Sequence, residues 1–265
     1  MNKISRKLRI ATALIGSQYA LMLEYRAEII LWAMSGILPL IMLGIWKEAD
    51  ITSSLGLNSQ ALDKYFISAF IVRQFTAVWV IVTFEEDNIE GRLSPYLLQP
   101  IVPFWRYYSS HLAEQISRLP IVIILLIFLF ILMPGSFWLP SFPTIVLFIL
   151  STFIAFSVRF LLHWLFAMAC FWNDRASAIE RLLLIPYLFL SGLVAPIEAF
   201  PPIVKGIANL TPFPYILSFP SKLLAGQEVN ILQSLTALFL WGSVLFLLSY
   251  IFWRKGLRKY SGMGS

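Results

Sequence analysis

A group of charged residues between positions 85 and 92 is the first candidate for chemistry in this sequence. The group consists of Glu85, Glu86, Asp87, Glu90, Gly91 and Arg92, and it is followed by the apolar residues Leu93, Tyr96, Leu97 and Leu98. The spacing of the apolar residues predicts a short helix with one apolar side, and the acidic residues before it should face water. This mixture is typical of a surface on which a soluble protein docks, and an ordinary solvated loop is the alternative.

Two arginines, Arg73 and Arg159, are the second candidate because each lies near the middle of a long apolar run. A central arginine costs roughly 2.5–3.5 kcal/mol to insert into a membrane, so it usually faces a cavity or a partner. Small and polar residues share one helix face with Arg159 at i, i+4 spacing, namely Ser151, Ala155, His163 and Ala167. The pattern allows helix packing, with the arginines bound to backbone carbonyls, or a translocation path in which Arg73, Arg159 and His163 meet an anionic group.

Other chemistries lack the residues that they need. The middle of each long apolar run contains no Asp or Glu, and arginine does not titrate near neutral pH, so coupling to protons or sodium is not indicated. The sequence has no G-x-x-x-x-G-K-[ST], H-E-x-x-H or G-x-S-x-G motif. The single cysteine, Cys170, excludes a cysteine-rich metal site, and His111 with Glu114 is interpreted as part of a solvated helix face. We therefore predict no catalytic residue, no metal site and no cofactor in this chain.

The elements that position these residues are predicted to be membrane-spanning helices. The 265 residues are 59% hydrophobic and 13% charged, with a mean hydropathy of +0.79, whereas a soluble domain is nearer half apolar and a quarter charged. Runs long enough to cross a bilayer predict an all-α polytopic membrane protein with six spans. The predicted spans are residues 27–46, 64–84, 119–139, 144–171, 179–194 and 232–253.

The segments around the spans complete the predicted organisation. Residues 1–26 are basic and amphipathic, which predicts a cytoplasmic helix lying on the membrane surface, with a simple basic tail as the alternative. Residues 104–118 should continue as a helix into the third span, and Pro39 should kink the first. Residues 254–265 form a basic cytoplasmic tail, so the transmembrane domain is residues 27–253.

Residues 195–226 are apolar but rich in proline, which forbids one continuous helix. Because an apolar segment is also a poor solvated loop, we predict short helices that re-enter the outer leaflet. Lysine and arginine counts place both termini in the cytoplasm, and the basic residues left outside are Lys47, Lys64, Lys205 and Lys222. Since basic residues gather at the ends of the spans, the net charge of +6 does not indicate nucleic-acid binding.

Two sequence patterns resemble the permeases of ABC-2 type exporters. Residues 85–101 read E-x-x-x-x-E-G-R-L-S-x-Y-L-L-Q-P-I and are similar to the family's segment between its second and third membrane helices. The pattern A-P-x-x-x-F-P from Ala195, followed by T-P-x-x-Y from Thr211, is similar to the segment between the family's last two helices. The resemblance covers most of the chain and is strongest to the branch of stand-alone six-helix permeases.

This resemblance implies a type V exporter-like fold in which residues 85–101 carry a coupling helix that docks on separate ATPase subunits, where ATP and Mg²⁺ bind. The implied docking residues are Glu85, Glu86, Asp87, Glu90, Gly91, Arg92, Leu93 and Tyr96. The resemblance also implies a dimer with a second copy or a related permease, contact with lipid in the bacterial inner membrane, and an outer gate at residues 195–226. The alternative is an ATP-independent channel or scaffold subunit, or a lipid-modifying membrane enzyme.

Overall fold

The fold consists of α-helices wherever the structure, a computed structural model, describes the chain, which is at residues 3–48, 59–173 and 175–260. No strand occurs in these ranges. The helices are α1 (Lys3–Glu24), α2 (Arg26–Ser35), α3 (Leu38–Glu48), α4 (Ser59–Thr76), α5 (Val80–Ile89), α6 (Leu93–Leu97), α7 (Pro103–Leu132), α8 (Phe142–Ala167), α9 (Ser177–Leu190), α10 (Pro202–Asn209), α11 (Phe213–Ile216), α12 (Ser218–Ala225) and α13 (Ile231–Leu257). The predicted all-α class of polytopic membrane protein is confirmed.

Within the described ranges, five helical segments are long and apolar enough to cross a membrane. They are Ala27–Glu48, Ser59–Ile89, Pro103–Leu132, Phe142–Phe171 and Ile231–Leu257. The remaining predicted span, residues 179–194, coincides with α9, which has 14 residues, whereas a spanning helix needs about 20. The count of six spans therefore stays a prediction.

The first and third spans follow the sequence closely. The first is interrupted between α2 and α3, immediately before Pro39, where a kink was expected. A Cβ atom on Gly36 would lie 2.5 Å from Nε2 of Gln74, so a larger residue here would displace the Gln74 amide, which donates to the Ala33 carbonyl at 2.8 Å. The third span continues from residues 104–118 as the 30-residue helix α7, which ends at Leu132 rather than at residue 139.

The second span is two helices, α4 and α5, where the sequence predicts one. They are separated by residues 77–79, which contain neither proline nor glycine. The freed backbone groups bind α7 instead. The Trp79 N–H donates to Nε2 of His111 at 3.0 Å, and Nη1 of Arg118 donates to the carbonyl of Gln74 at 3.0 Å. Irregular backbone is tolerated inside a membrane when neighbouring protein groups satisfy it in this way.

Helix α4 lies at the centre of the fold and packs against α3, α8 and α12. In its span, 61% of the most apolar 18-residue stretch is buried, compared with 17% of the corresponding stretches of α7 and α13. The outer faces of α7, α8 and α13 expose large apolar side chains, among them Ile124, Phe128, Leu150, Leu240 and Phe246. Such faces suit contact with lipid, as expected of a multi-pass membrane protein. Helix α1 packs along α7, and its position at the membrane surface stays a prediction.

Residues 195–226 form short helices, α10 to α12, as the prolines predict. Aromatic side chains of the spans and of the α7–α8 loop donate hydrogen bonds to carbonyls in and just before this segment, namely Tyr65 to Gly192 (2.7 Å), Trp46 to Val194 (2.9 Å) and Trp138 to Leu224 (3.0 Å). These bonds satisfy backbone groups that a continuous helix would pair internally. Re-entry of the segment into the outer leaflet stays a prediction.

Candidate functional site

The connector, which is residues 85–101 between the second and third spans, is an ordered segment. Helix α5 continues to Ile89, and Gly91 follows with a φ of 72°, in the left-handed region that L side chains rarely adopt. The chain then forms the predicted short helix, α6. Glycine therefore sets the direction in which the connector leaves α5.

Asp87 anchors the connector to α7. This residue is only 8% exposed, and its carboxylate accepts hydrogen bonds from the Tyr107 hydroxyl and from Nε of Arg92, both at 2.6 Å. Arg92 also pairs with Glu90, and its bond to Asp87 raises the pKa of the guanidinium. The prediction that Asp87 faces water is wrong, because two donors hold its carboxylate inside the protein.

Glu85 is also turned inward and caps α9. Its Oε2 atom accepts hydrogen bonds from the backbone N–H groups of Ala176 (2.5 Å) and Ser177 (2.6 Å). These donors lie at the start of α9, where a carboxylate satisfies free N–H groups and complements the helix dipole. The expected solvent exposure of Glu85 is therefore not observed, and the residue links α5 to α9 instead.

Eight residues of the connector are exposed to solvent, namely Glu86, Ile89, Glu90, Arg92, Pro95, Leu98, Gln99 and Pro100. Among them, we call Glu86, Glu90 and Leu98 the tip. Leu93 is fully buried and Tyr96 is half-buried, so the predicted apolar side of α6 does face inward. Leu98, predicted on that same side, is instead 88% exposed. The tip is thus two carboxylates beside one apolar side chain.

An aromatic cluster lies directly behind the connector. The ring of Phe84, at the end of the second span, packs against the rings of Tyr107, Trp164 and Phe171 with centroids 5.3–5.7 Å apart. These partners belong to α7, to α8 and to the turn that follows α8. The base of the connector is therefore packed against two other spans.

A second feature is a cavity of about 410 Å³ beside the break in the second span. Arg73, Arg159 and His163, which the sequence proposes as path or packing residues, all line it. Sequence reasoning missed three further charged residues that line the cavity, Arg118, Glu180 and Arg181. The four arginines come from α4, α7, α8 and α9, so the cavity collects basic side chains from four helices.

The interpretation of His111 with Glu114 as a solvated helix face is wrong, since these residues are 5% and 6% exposed. Glu114 pairs with Arg118, one turn further along α7. His111 donates from Nδ1 to the Tyr107 carbonyl at 2.7 Å and accepts at Nε2 from Trp79. Burial follows because α1, α2 and α4 pack against this part of α7. The i, i+4 spacing of Glu114 and Arg118 was the sequence signal that could have predicted this ion pair.

Arg159 has no carboxylate partner at salt-bridge distance among the described residues. Its guanidinium lies 3.9 Å from the centre of the Tyr187 ring, and Glu180 interacts with it electrostatically. Nε and Nη1 of Arg159, and Nε of Arg73, find no hydrogen-bond partner in the part of the chain that the structure describes. The backbone contacts expected of a packing role are therefore not observed for these atoms.

The sequence matches a known protein family. A family model described as ABC-2 family transporter protein matches residues 40–264 of the 265-residue chain. The matched region contains the broken span, the connector, most residues that line the cavity, and the proline-rich segment. A search of curated proteins found no matching relative.

Proposed function

The chain belongs to the ABC-2 family of transporter proteins, and we propose that it is the permease subunit of an ATP-driven exporter whose ATPase subunits dock on the connector. ATP and Mg²⁺ would bind on those separate subunits, because this sequence has no phosphate-binding loop. The chain itself would carry no catalytic residue. By analogy with the family, both termini would lie in the cytoplasm of a bacterial cell, at its inner membrane.

The observation that carries the proposal is the contrast between the tip and its support. The tip is exposed, while Glu85 and Asp87 of the same connector are bound to α9 and α7. Asp87 is held by Tyr107 of α7. A surface that transmits the movement of a partner needs exposed groups for recognition on a rigid support.

The connector also contacts the elements that border the cavity. Glu85 holds the start of α9, and Ser177 and Glu180 of α9 line the cavity together with Trp79 at the break. A movement of the connector would therefore be passed to two sides of the cavity, through α5 and through α9. This is the route by which ATP hydrolysis outside the membrane would change access inside it.

We further propose that two permeases assemble, either two copies of this chain or one copy and a related chain. Six helices enclose too little space for a full translocation path in this family, and the analogy supplies the second subunit. The proline-rich segment 195–226 would then form the outer gate. Crosslinking of the purified chain in lipid nanodiscs measures this directly, and a strictly monomeric active complex would contradict it.

Co-purification tests the coupling proposal. Native protein and the tip variants Glu86→Arg and Leu98→Asp are purified from the host membrane, and bound ATPase and ATP hydrolysis are measured. Glu228→Arg, an exposed substitution far along the chain, is the matched control. We expect an ATPase to accompany the native and control proteins and to be lost from the tip variants. If no ATPase accompanies any of them, an ATP-independent channel, scaffold or lipid-modifying protein becomes the better interpretation.

A further inference from the structure

We propose that the cavity beside the second span binds the anionic head group of an amphiphile, and that such molecules are the substrate class of this permease. The proposed binding depends on the cavity alone, whereas the claim that the ligand is a substrate rests on the proposed transport function. The head group would be a phosphate or a carboxylate, and an apolar chain would extend along the cavity wall.

The charge of the cavity favours an anion. Arg73, Arg118, Arg159 and Arg181 line it, and the lining carboxylate among the described residues is Glu180. Glu114 neutralises Arg118 from outside the cavity. Even if Glu180 balances one further arginine, positive charge remains in excess where water is scarce. Uncompensated charge of this kind is costly inside a membrane unless a partner is supplied.

The donors of these arginines are available to a ligand. Arg159 is only 8% exposed, yet its Nε and Nη1 atoms have no hydrogen-bond partner among the described residues, and the same holds for Nε of Arg73. Stacking on Tyr187 positions the Arg159 guanidinium, while Nε and Nη1 stay without a hydrogen-bond partner among the described residues. A planar guanidinium presents paired donors that match the oxygen atoms of a phosphate or a carboxylate.

The remaining walls favour an apolar chain over a small inorganic ion. Apolar lining side chains include Trp79, Leu162, Leu184, Phe213 and Ile216. The volume, about 410 Å³, lies within the roughly 300–1,000 Å³ typical of pockets for small organic ligands. Arginine donors at one side and apolar walls at the other match a molecule with a charged head and an apolar tail.

Equilibrium binding of dodecyl phosphate to the full chain tests the proposal. The protein is placed in phosphatidylcholine nanodiscs, and bound radiolabelled dodecyl phosphate is measured against empty nanodiscs. We expect saturable binding that dodecyltrimethylammonium does not displace and that inorganic phosphate displaces only weakly. No saturable binding, or equal displacement by the cationic amphiphile, would overturn the proposal.

Three variants locate the binding. Arg159→Gln and Arg73→Gln should each weaken binding about ten-fold or more, since each removes charge-assisted hydrogen bonds. Arg254→Gln is the matched control, because Arg254 also lies over a tyrosine ring, Tyr250, but is exposed and outside the cavity. Arg73 lies over no aromatic ring among the described residues, so Arg73→Gln decides the matter if Arg159→Gln does not fold. Native-like binding by a folded Arg73→Gln protein would contradict the assignment.

A second nanodisc composition identifies the source of the head group. If phosphatidylglycerol in the bilayer displaces dodecyl phosphate, the cavity accepts a membrane lipid. If phosphatidylglycerol has no effect, the cavity accepts a separate anionic amphiphile. Neither measurement requires an ATPase. If the native protein binds dodecyl phosphate but no ATPase, only the coupling proposal is refuted, and if it binds an ATPase but no dodecyl phosphate, only this inference is refuted.

Discussion

The connector and the cavity are both rich in charged residues, but the buried charged groups are paired in the connector and only partly paired in the cavity. In the connector, the buried carboxylate of Asp87 is paired with Tyr107 and Arg92. In the cavity, Arg159 has guanidinium nitrogens without a hydrogen-bond partner among the described residues. Buried charged groups that are fully paired fix the local structure. Buried charged groups that are unpaired lower stability, and they are tolerated when a ligand supplies the missing partner.

This contrast separates structural charge from functional charge by experiment. Substituting a paired group should lower the free energy of unfolding and should change ligand binding only where the fold is lost. Substituting an unpaired group should change binding and leave the free energy of unfolding almost unchanged. The following substitutions test the separation from the largest expected effect to the smallest.

Glu114→Gln should have the largest effect on stability. The substitution leaves Arg118 buried at 2% exposure without its carboxylate, and breaking a buried ion pair typically costs about 3–5 kcal/mol. Thermal unfolding of the purified protein in detergent measures the loss. Glu24→Gln, at an exposed position of α1, is the control. Equal unfolding temperatures for the two variants would show that the Glu114–Arg118 pair is not structural.

Asp87→Asn should destabilise the connector by about 1.5–3 kcal/mol, because hydrogen bonds to a charged group lie in this range. The amide keeps the size of the carboxylate but cannot accept charge-assisted bonds from both Tyr107 and Arg92. Limited proteolysis of residues 85–101 reports the loosening directly. Glu86→Gln, one position away and exposed, should change stability by less than about 0.5 kcal/mol.

Gly91→Ala should cost about 1–2 kcal/mol, because alanine pays a steric penalty in the left-handed conformation that φ of 72° requires. The matched substitution is Gly16→Ala in α1, where the added Cβ meets nothing within 4 Å and helix propensity improves. Unfolding in detergent should therefore move in opposite directions for the two variants. A shift in the same direction would remove the conformational argument for Gly91.

Arg73→Met should have the smallest effect on stability. Arg73 is half-buried and has no ion-pair partner among the described residues, and replacing such a charge by an apolar side chain of similar length is often neutral or stabilising. We expect an unchanged or slightly higher unfolding temperature together with weaker binding of dodecyl phosphate. A loss of stability comparable to that of Glu114→Gln would mean that Arg73 is structural, and the contrast between the two regions would fail.

Much of the fold follows from local sequence. Apolar runs locate the spans, Pro39 marks the interruption of the first, and the prolines of residues 195–226 predict short helices. In the connector, the apolar spacing predicts α6 and the burial of Leu93. These features depend on residues that are neighbours in the chain, so periodicity and backbone chemistry suffice.

What the sequence does not predict depends on contacts between distant residues. Nothing local marks the break at residues 77–79, since its cause lies on α7, at His111 and Arg118. The inward turn of Glu85 likewise requires the start of α9, some 90 residues further along the chain. Arg73 and Arg159 are visible as unusual residues in the sequence, but their meeting with Arg118 needs the packing of three helices.

The break in the second span gives that span the mechanics of two rods and a joint. In an unbroken helix, bending strains a continuous ladder of backbone bonds. At residues 77–79 the bonds run sideways, from Trp79 to His111 and from Arg118 to the Gln74 carbonyl, so α5 can pivot while α4 stays clamped in the core. Two hydrogen bonds, roughly 0.5–3 kcal/mol each, then contribute to the stiffness of the joint, together with the packing of α5 against α8 and α9. Part of the compliance of the span is thus controlled by two side chains of its neighbour α7.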